Sequence, residues 1–324
     1  MITEITPRIF GRTLISPFEI MGQREIDQLD ELLLSRPRGV IMLDLDGHLI
    51  NEDQRITDGR IGESIQKTKD AGFLVCLNSA RPSQTLREWQ RVFGTDDPNF
   101  AEFGGLVDFA NLGWQLVFQE KEYQFFGEMR RSIPVLLKGM QDKGFSNIDY
   151  RYCEDEEAAT QLQRQTDDHS WISSPYTHGI YLNGRPRLRL GLRAFKITPD
   201  GPSFDEGYTQ AVLDLLRAYE KENPFYKPLV YNFNPLDYSV FIHSGKQNKT
   251  IIWRILLSYL GKNASTREFY HLGDSRVDRI EVPQVKFLTV GNAQEDIKGK
   301  AHRVSPLGFT QGVVDNLTWI RDNH

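Results

Sequence analysis

Asp44 and Asp46 stand one residue apart, just ahead of Gly47 and at the end of the apolar run Val40-Ile41-Met42-Leu43. Side chains two apart on an extended chain point the same way, so a strand ending here presents paired carboxylates to a hard divalent cation. Asn78-Ser79-Ala80-Arg81-Pro82 follows a second apolar run, Phe73 to Leu77. A hydroxyl and free backbone N–H groups at the start of the next helix make an anion site. Lys249 opens a later helical stretch, and Gly273-Asp274-Ser275-Arg276-Val277-Asp278 ends a further apolar run in carboxylates. In an open parallel α/β sheet, ligands bind at the carboxyl ends of the strands, which is where all these residues fall.

Each feature also has a plainer reading. Asp46-Gly47 suits a solvated turn, Ser79 a helix cap, and Asp274 with Asp278 a turn followed by a cap. Lys249 would be a solvated lysine in a first helical turn, although the helix dipole does not favour a cation there.

The elements that must position these residues follow from periodicity. A helical pattern runs from Arg24 to Leu34 with Ile26, Leu29, Leu32 and Leu33 apolar. Ile56 to Ala71 has helical spacing and Gly72 as its stop, Phe73 to Leu77 is a buried strand, and Ser83 to Phe93 a helix. Asn99 to Asn111 reads as strand, glycine turn and strand. From Glu120 to Leu236 the texture changes to helices at Glu122 to Lys143 and Phe204 to Glu222, with strands at Gly179 to Leu182, Arg187 to Leu192 and Leu229 to Phe233. The first pattern resumes with strand Tyr238 to His243, helix Thr250 to Leu260 ahead of Gly261, strands Phe269 to Leu272 and Val285 to Val290, and helix Gly312 to Arg321.

This order predicts an α/β core with a parallel sheet, interrupted by an inserted α+β domain. The expected division is an N-terminal extension over 1–35 packed on the core, a core formed by 36–115 and 238–324, and an insertion over 116–237.

The chain has 324 residues, 39% hydrophobic and 26% charged, enough for more than one compact unit. A net charge of -5 and a pI near 5.9 argue against a general binder of nucleic acid or anionic membrane, which requires a basic surface. A small or locally steered ligand is the partner expected, with no nucleic acid and no membrane. Cys76 and Cys153 are the cysteines, too few for a disulfide framework or a thiolate cluster. Met1 to Met21 mixes Glu4, Arg8, Arg12 and Glu19 among its apolar residues, so neither a signal peptide nor a span is expected there. A reducing cytoplasm is the compartment these features predict.

Taken together, D-x-D-G (Asp44, Asp46), Ser-x-Arg (Ser79, Arg81), a helix-opening Lys249, G-D-S-x-x-D (Gly273 to Asp278) and G-N-A (Gly291 to Ala293) resemble the haloacid dehalogenase superfamily. The order is similar to its Cof-like and sucrose-phosphatase-like branch, in which a large cap of the C2 type is inserted between the second and third motifs. The resemblance covers roughly 37 to 113 and 238 to 322. It implies a Rossmannoid core and a Mg²⁺-dependent phosphatase acting on a sugar phosphate or similar small metabolite through an aspartyl-phosphate.

By that resemblance Asp44 is the nucleophile and Asp46 the general acid and base. Asp44, Asp274 and the backbone carbonyl of Asp46 hold the metal, while Ser79, Ala80, Lys249 and Asn292 contact phosphate. Asp278, Ser275 and Arg81 support them. Lys246 stays open as an alternative to Lys249, and Asn292 as a simple turn former. In the insertion, period two puts Arg187, Arg189 and Arg193 on one strand face, either a solvated face or one that contacts the substrate. Trp171, Tyr176 and His178 are further residues that could touch a sugar.

His48, Ala80 and Val277 depart from the family pattern, which usually has Thr, Gly and Asn at these places. A degenerate homologue that binds a phosphorylated ligand or a protein partner without turnover therefore stays open. A sugar phosphomutase would keep the same site, although Gly273 to Asp278 resembles the phosphatase version. The substrate and the oligomeric state are not readable from the sequence.

Overall fold

The computed structural model describes residues 8–9, 23–81, 83–109, 114–117, 148–151, 178–183, 189–198, 201–204, 206–222, 229–234, 239–244 and 248–323. Its strands are β1 (Arg8–Ile9), β2 (Gly39–Leu43), β3 (Phe73–Leu77), β4 (Asn99–Ala101), β5 (Leu106–Phe109), β6 (Trp114–Val117), β7 (Ile148–Arg151), β8 (His178–Asn183), β9 (Arg189–Thr198), β10 (Gly201–Phe204), β11 (Leu229–Asn234), β12 (Ser239–Ser244), β13 (Glu268–Leu272), β14 (Val285–Thr289) and β15 (Arg303–Val304). Its helices, numbered in chain order, are α1 (Gln23–Ser35), α2 (Ile61–Asp70), α3 (Ser83–Phe93), α4 (Glu206–Glu222), α5 (Lys249–Leu260), α6 (Glu295–Lys298) and α7 (Phe309–Asp322).

The chain divides into two compact units, Met1–Gln119 with Gln247–His324, and Glu120–Lys246. The first is built on a five-stranded sheet in the order β15-β14-β13-β2-β3, with every pair parallel. β2 lies inside the sheet, between β13 and β3, and is buried along its whole length. Burying its Val40, Ile41, Met42 and Leu43 contributes roughly 2 kcal/mol per side chain before chain entropy is counted.

Alternation sorts the side chains to two faces. Val40 and Met42, Leu74 and Cys76, and Phe269 and Val285 pack with Ile252, Trp253, Leu256 and Leu260 of α5 and with Leu29 and Leu33 of α1. α1 is tied down further, by Tyr259 Oη donating to Asp30 Oδ1 at 2.7 Å and Arg267 Nη2 donating to the Leu33 carbonyl at 3.1 Å. α2 and α7 associate with each other, and Arg321 Nη1 on α7 donates to the Ser64 carbonyl at 3.0 Å and to Thr68 Oγ1 at 3.0 Å. A second, smaller sheet in the order β1-β6-β5-β4 completes the unit.

The other unit has a sheet ordered β11-β12-β9-β8-β7, with β10 on β9, and the helix α4. Its pairs are antiparallel except β7 with β8.

The helix expected over 56 to 71 begins later, at Ile61. Asn51 Oδ1 accepts the Arg55 N–H at 2.8 Å, and Thr57 N–H donates to Thr310 Oγ1 at 3.0 Å, so this stretch is drawn into turns and toward α7. The strand Ser239–Ser244, expected to reopen the core, instead pairs antiparallel with β11 and β9 inside the second unit. An apolar run of strand length looks the same in either sheet, and only the partner strands decide where it goes. The helix expected over 122 to 143 lies outside the described residues.

Candidate active site

Asp44 directly follows β2, and its N–H donates to the Leu272 carbonyl of β13 at 2.9 Å. That bond carries the parallel pairing one residue past the strand and fixes the Asp44 carboxylate at the carboxyl end of the sheet. Lys249 is the first residue of α5, whose start is set by Asn248: extended backbone, with Oδ1 accepting the Ile251 N–H at 3.0 Å. Lys249 is 1% exposed. Its ammonium donates to Asp44 Oδ1 at 2.5 Å and to Asp278 Oδ1.

Asp278 is fully buried, and the Gly273–Asp278 loop folds around it. Its Oδ2 accepts from the Ser275 hydroxyl at 2.6 Å, the Ser275 N–H at 3.0 Å and the Asp274 N–H at 3.2 Å. A Cβ on Gly273 would lie 2.2 Å from Asp278 Cβ, so only glycine allows this wrap. Carboxylate oxygens of Asp44, Asp274 and Asp278 lie within 4.8 Å of one another.

The charges do not balance. Burial, then the neighbouring Asp278, push the Asp44 carboxyl up to about 7. Burial and the charges of Asp278 and Asp44 also hold Asp274 well above the usual carboxylate range. Burial alone would raise Asp278, but the Lys249 ammonium overrides it and holds this carboxyl low. Burial would likewise lower Lys249, and the Asp278 and Asp44 charges raise it instead. Hard oxygen donors with excess negative charge in a dry site fit a divalent cation such as Mg²⁺. Asp44 and Asp274 could hold it, while Asp278 is engaged by Lys249 and its own loop.

Ser79 is buried after β3, with its N–H donating to the Phe100 carbonyl at 2.9 Å and its Oγ accepting the Arg81 N–H at 3.2 Å. The carboxylate of Asp46, 46% exposed, is not part of the acidic cluster; it is held by the Arg81 guanidinium. Gly47 has φ of +70, and a Cβ there would lie 2.3 Å from Asp274 Oδ2. Glycine is thus required both for the turn and for the approach of Asp274.

The resemblance puts Asn292 among the phosphate contacts; its amide also joins two backbone segments. Its Nδ2 donates to the Gly47 carbonyl at 2.8 Å and its Oδ1 accepts the Phe309 N–H at 2.6 Å, so both amide atoms are engaged by backbone. Ala80 is partly buried and Val277 is 38% exposed. Arg189 and Arg193 lie in β9, in register with His243 and Tyr181 of the flanking strands. His178 opens β8. Arg187, Trp171, Tyr176 and Lys246 lie outside the described residues.

Some neighbours were not anticipated. Trp253 Nε1 donates to His271 Nδ1 at 3.1 Å, which places the imidazole proton on Nε2, 4.0 Å from Asp278 Oδ1. The polar His271 inside an apolar strand run was the available sequence signal. His48 is buried, and neither ring nitrogen has a hydrogen-bond partner among the described residues. Burial lowers its pKa to about 3. Gln54, which contacts Arg81, carries no signal in the sequence.

No curated protein matches the sequence. Among solved structures, a haloacid dehalogenase-like hydrolase from Bacteroides thetaiotaomicron is similar, with a TM-score of 0.58 and 17% identity over 87% of this chain and 99% of that one. TM0651 from Thermotoga maritima has a TM-score of 0.55 and 16% identity over 87% of this chain and 97% of that one. BT1666 from Bacteroides thetaiotaomicron, described among phosphatases of the HAD superfamily, has a TM-score of 0.52 and 14% identity over 87% of this chain and 94% of that one. At these identities the likeness is one of fold. The sequence model for haloacid dehalogenase-like hydrolases matches residues 41–317, from within β2 to within α7 and so across all the acidic loops. Fold and sequence model agree, and the chain belongs to the haloacid dehalogenase-like hydrolases.

Proposed function

We propose that this hydrolase is a Mg²⁺-dependent phosphatase that cleaves the phosphomonoester of a sugar or similar small metabolite through an aspartyl-phosphate on Asp44. The observation that carries the reading is the set Asp44, Lys249, Asp278 and Asp274, the first three buried and Asp274 partly so, in which the Lys249 ammonium joins two carboxylates and carboxylate oxygens of the three aspartates lie within 4.8 Å of one another. The description of BT1666 among phosphatases of the superfamily supports the same chemistry.

A phosphate monoester dianion repels a carboxylate, so the reaction needs positive charge aligned before attack. Mg²⁺, held by Asp44, Asp274 and the Asp46 carbonyl, would neutralise phosphoryl oxygens and align Asp44 with phosphorus. Lys249 and Ser79 bind the remaining phosphoryl oxygens, and Asp278 keeps Lys249 charged and in place. In the first step Asp44 Oδ forms a bond to phosphorus as the ester P–O bond breaks and Asp46 gives its proton to the leaving oxygen. In the second, Asp46 takes a proton from water, the water oxygen bonds to phosphorus, and the Asp44–phosphorus bond breaks. Alcohol and inorganic phosphate are the products, and the enzyme returns unchanged. Ala80 supplies backbone to the phosphate site, Ser275 and Arg81 are supports, and Asn292 acts as a brace. The Glu120–Lys246 unit, with Arg189 and Arg193, is the source of substrate selection on this reading. The cytoplasm is the compartment that we assign; among the described residues, no helix is long and apolar enough to cross a membrane.

The test is phosphate release from a panel of sugar phosphates and an aryl phosphate, with Mg²⁺ and with EDTA, for wild type and Asp44→Asn. Release that requires both Mg²⁺ and Asp44 is expected, with the variant reduced by at least about 10³-fold. Full Mg²⁺-dependent activity in Asp44→Asn would sink the assignment of the nucleophile. Binding of phosphorylated compounds without turnover would favour a degenerate binding protein, and isomerisation without free phosphate would favour a mutase.

A further inference from the structure

Arg81 donates from Nε to Asp46 Oδ2 at 2.8 Å and from Nη2 to Asp46 Oδ1 at 2.5 Å. Such a two-point fork fixes the plane of a carboxylate, which a single contact leaves free to rotate. The same Nη2 donates to Gln54 Oε1, so the guanidinium itself is held. Gln54 has φ of 60, a left-handed conformation that a glutamine adopts only when its surroundings impose it. Its turn is closed by Gln54 N–H to the Asn51 carbonyl at 3.0 Å, Asn51 N–H to the Arg55 carbonyl at 3.0 Å and Arg55 N–H to Asn51 Oδ1 at 2.8 Å. The Arg81 backbone is anchored as well: its N–H reaches Ser79 Oγ at 3.2 Å, and its carbonyl accepts the Glu102 N–H at 3.0 Å.

Each carboxylate oxygen has two lone pairs in the plane, and Arg81 uses one on each oxygen of Asp46. One lone pair per oxygen stays open toward a reacting group. Asp46 is therefore aimed without being blocked.

We propose that Gln54 and Arg81 form a positioning relay that holds the Asp46 carboxylate in the plane from which it serves the leaving oxygen, and that this relay matters selectively for alkyl phosphate esters. The inference rests on the phosphatase reading above. When the ester P–O bond breaks and the Asp44–phosphorus bond forms, an alkoxide leaving group needs the Asp46 proton, and its rate depends on where that proton is held. A nitrophenolate leaves as a stable anion and needs none. Loss of the relay thus slows cleavage of alkyl esters more than of aryl esters. The effect is read in kcat/KM, which covers the steps through ester cleavage and leaves out hydrolysis of the aspartyl-phosphate, where Asp46 is the base for both esters alike.

The experiment measures kcat and KM with Mg²⁺ for the full chain and for Arg81→Ala, Arg81→Lys and Gln54→Ala. The substrates are the best sugar phosphate of the panel and p-nitrophenyl phosphate. Arg81→Ala is expected to lose about 100-fold in kcat/KM on the sugar phosphate and less than about 10-fold on the aryl ester. Gln54→Ala, at an exposed position, loses about tenfold on the sugar phosphate alone. Arg81→Lys, which keeps the charge but not the fork, falls between them. Equal losses in kcat/KM on both esters would overturn the relay and leave the phosphatase reading standing. Release from neither ester by the wild type would overturn that reading and the relay with it.

Discussion

Lys249 stays charged in a dry site because two carboxylates surround it. Removing it would leave Asp44 and Asp278 buried without a counter-charge, the most costly way to break such a set. Lys249→Met is therefore expected to lose about 3 to 5 kcal/mol of stability in EDTA, read from the urea midpoint. A loss below about 1 kcal/mol would mean that the carboxylates are not ionised around the lysine. His48 presents the opposite problem, a polar ring kept neutral by burial. Its folded pKa near 3 lies below the unfolded value of 6.5, so its contribution to stability is full above pH 6.5 and is lost as pH falls toward 3. Between pH 7 and pH 5 this group alone should remove on the order of 2 kcal/mol, since only the unfolded chain takes up the proton. In EDTA, His48→Thr should show a smaller drop in urea midpoint over that interval; an unchanged drop would put the proton uptake elsewhere.

At the scale of elements, the loops at the carboxyl edge of the sheet are braced against one another rather than by the strands alone. Asn292 joins the Gly47 turn to the start of α7, and Gly47 in turn borders Asp274. Asn292→Ala removes both bonds and is expected to cost about 1 to 3 kcal/mol. If the brace reaches the cation site, the Mg²⁺ concentration for half-maximal phosphate release should also rise several-fold. A destabilised variant with an unaltered Mg²⁺ requirement would confine Asn292 to folding. The core strands ahead of Asp44, Ser79 and Asp274 were legible because each is an apolar run ending in polar residues, a local pattern. Ser239–Ser244 misled because the same pattern serves an antiparallel sheet, and nothing local distinguishes its partners. The start of α2 was misplaced because helical spacing upstream of Ile61 lost to turn and side-chain bonds made with distant residues.

For the whole molecule, two compact units imply two cooperative transitions. A cation that binds only the folded state of the unit carrying Asp44 and Asp274 should raise that transition by about 2.7 kcal/mol at a hundredfold excess over its dissociation constant. Calorimetry with Mg²⁺ and with EDTA should therefore move one transition and leave the other in place, and Asp274→Asn should abolish the movement. Equal movement of both transitions would show that the units unfold as one.

The sequence by itself determined which residues stand at the strand ends and at the helix start: Asp44, Ser79 and Asp274 are placed by a short apolar run beside them, and Lys249 by the start of its helix. It could not determine what those residues touch. Lys249 meets Asp44 across 205 positions of chain, Asn292 meets Gly47 across 245, and Gln54 meets Arg81 across 27. Such pairs are created by the path of the backbone and not by local pattern, so the charge on Asp278, the brace made by Asn292 and the hold on Asp46 were decided by the tertiary structure alone.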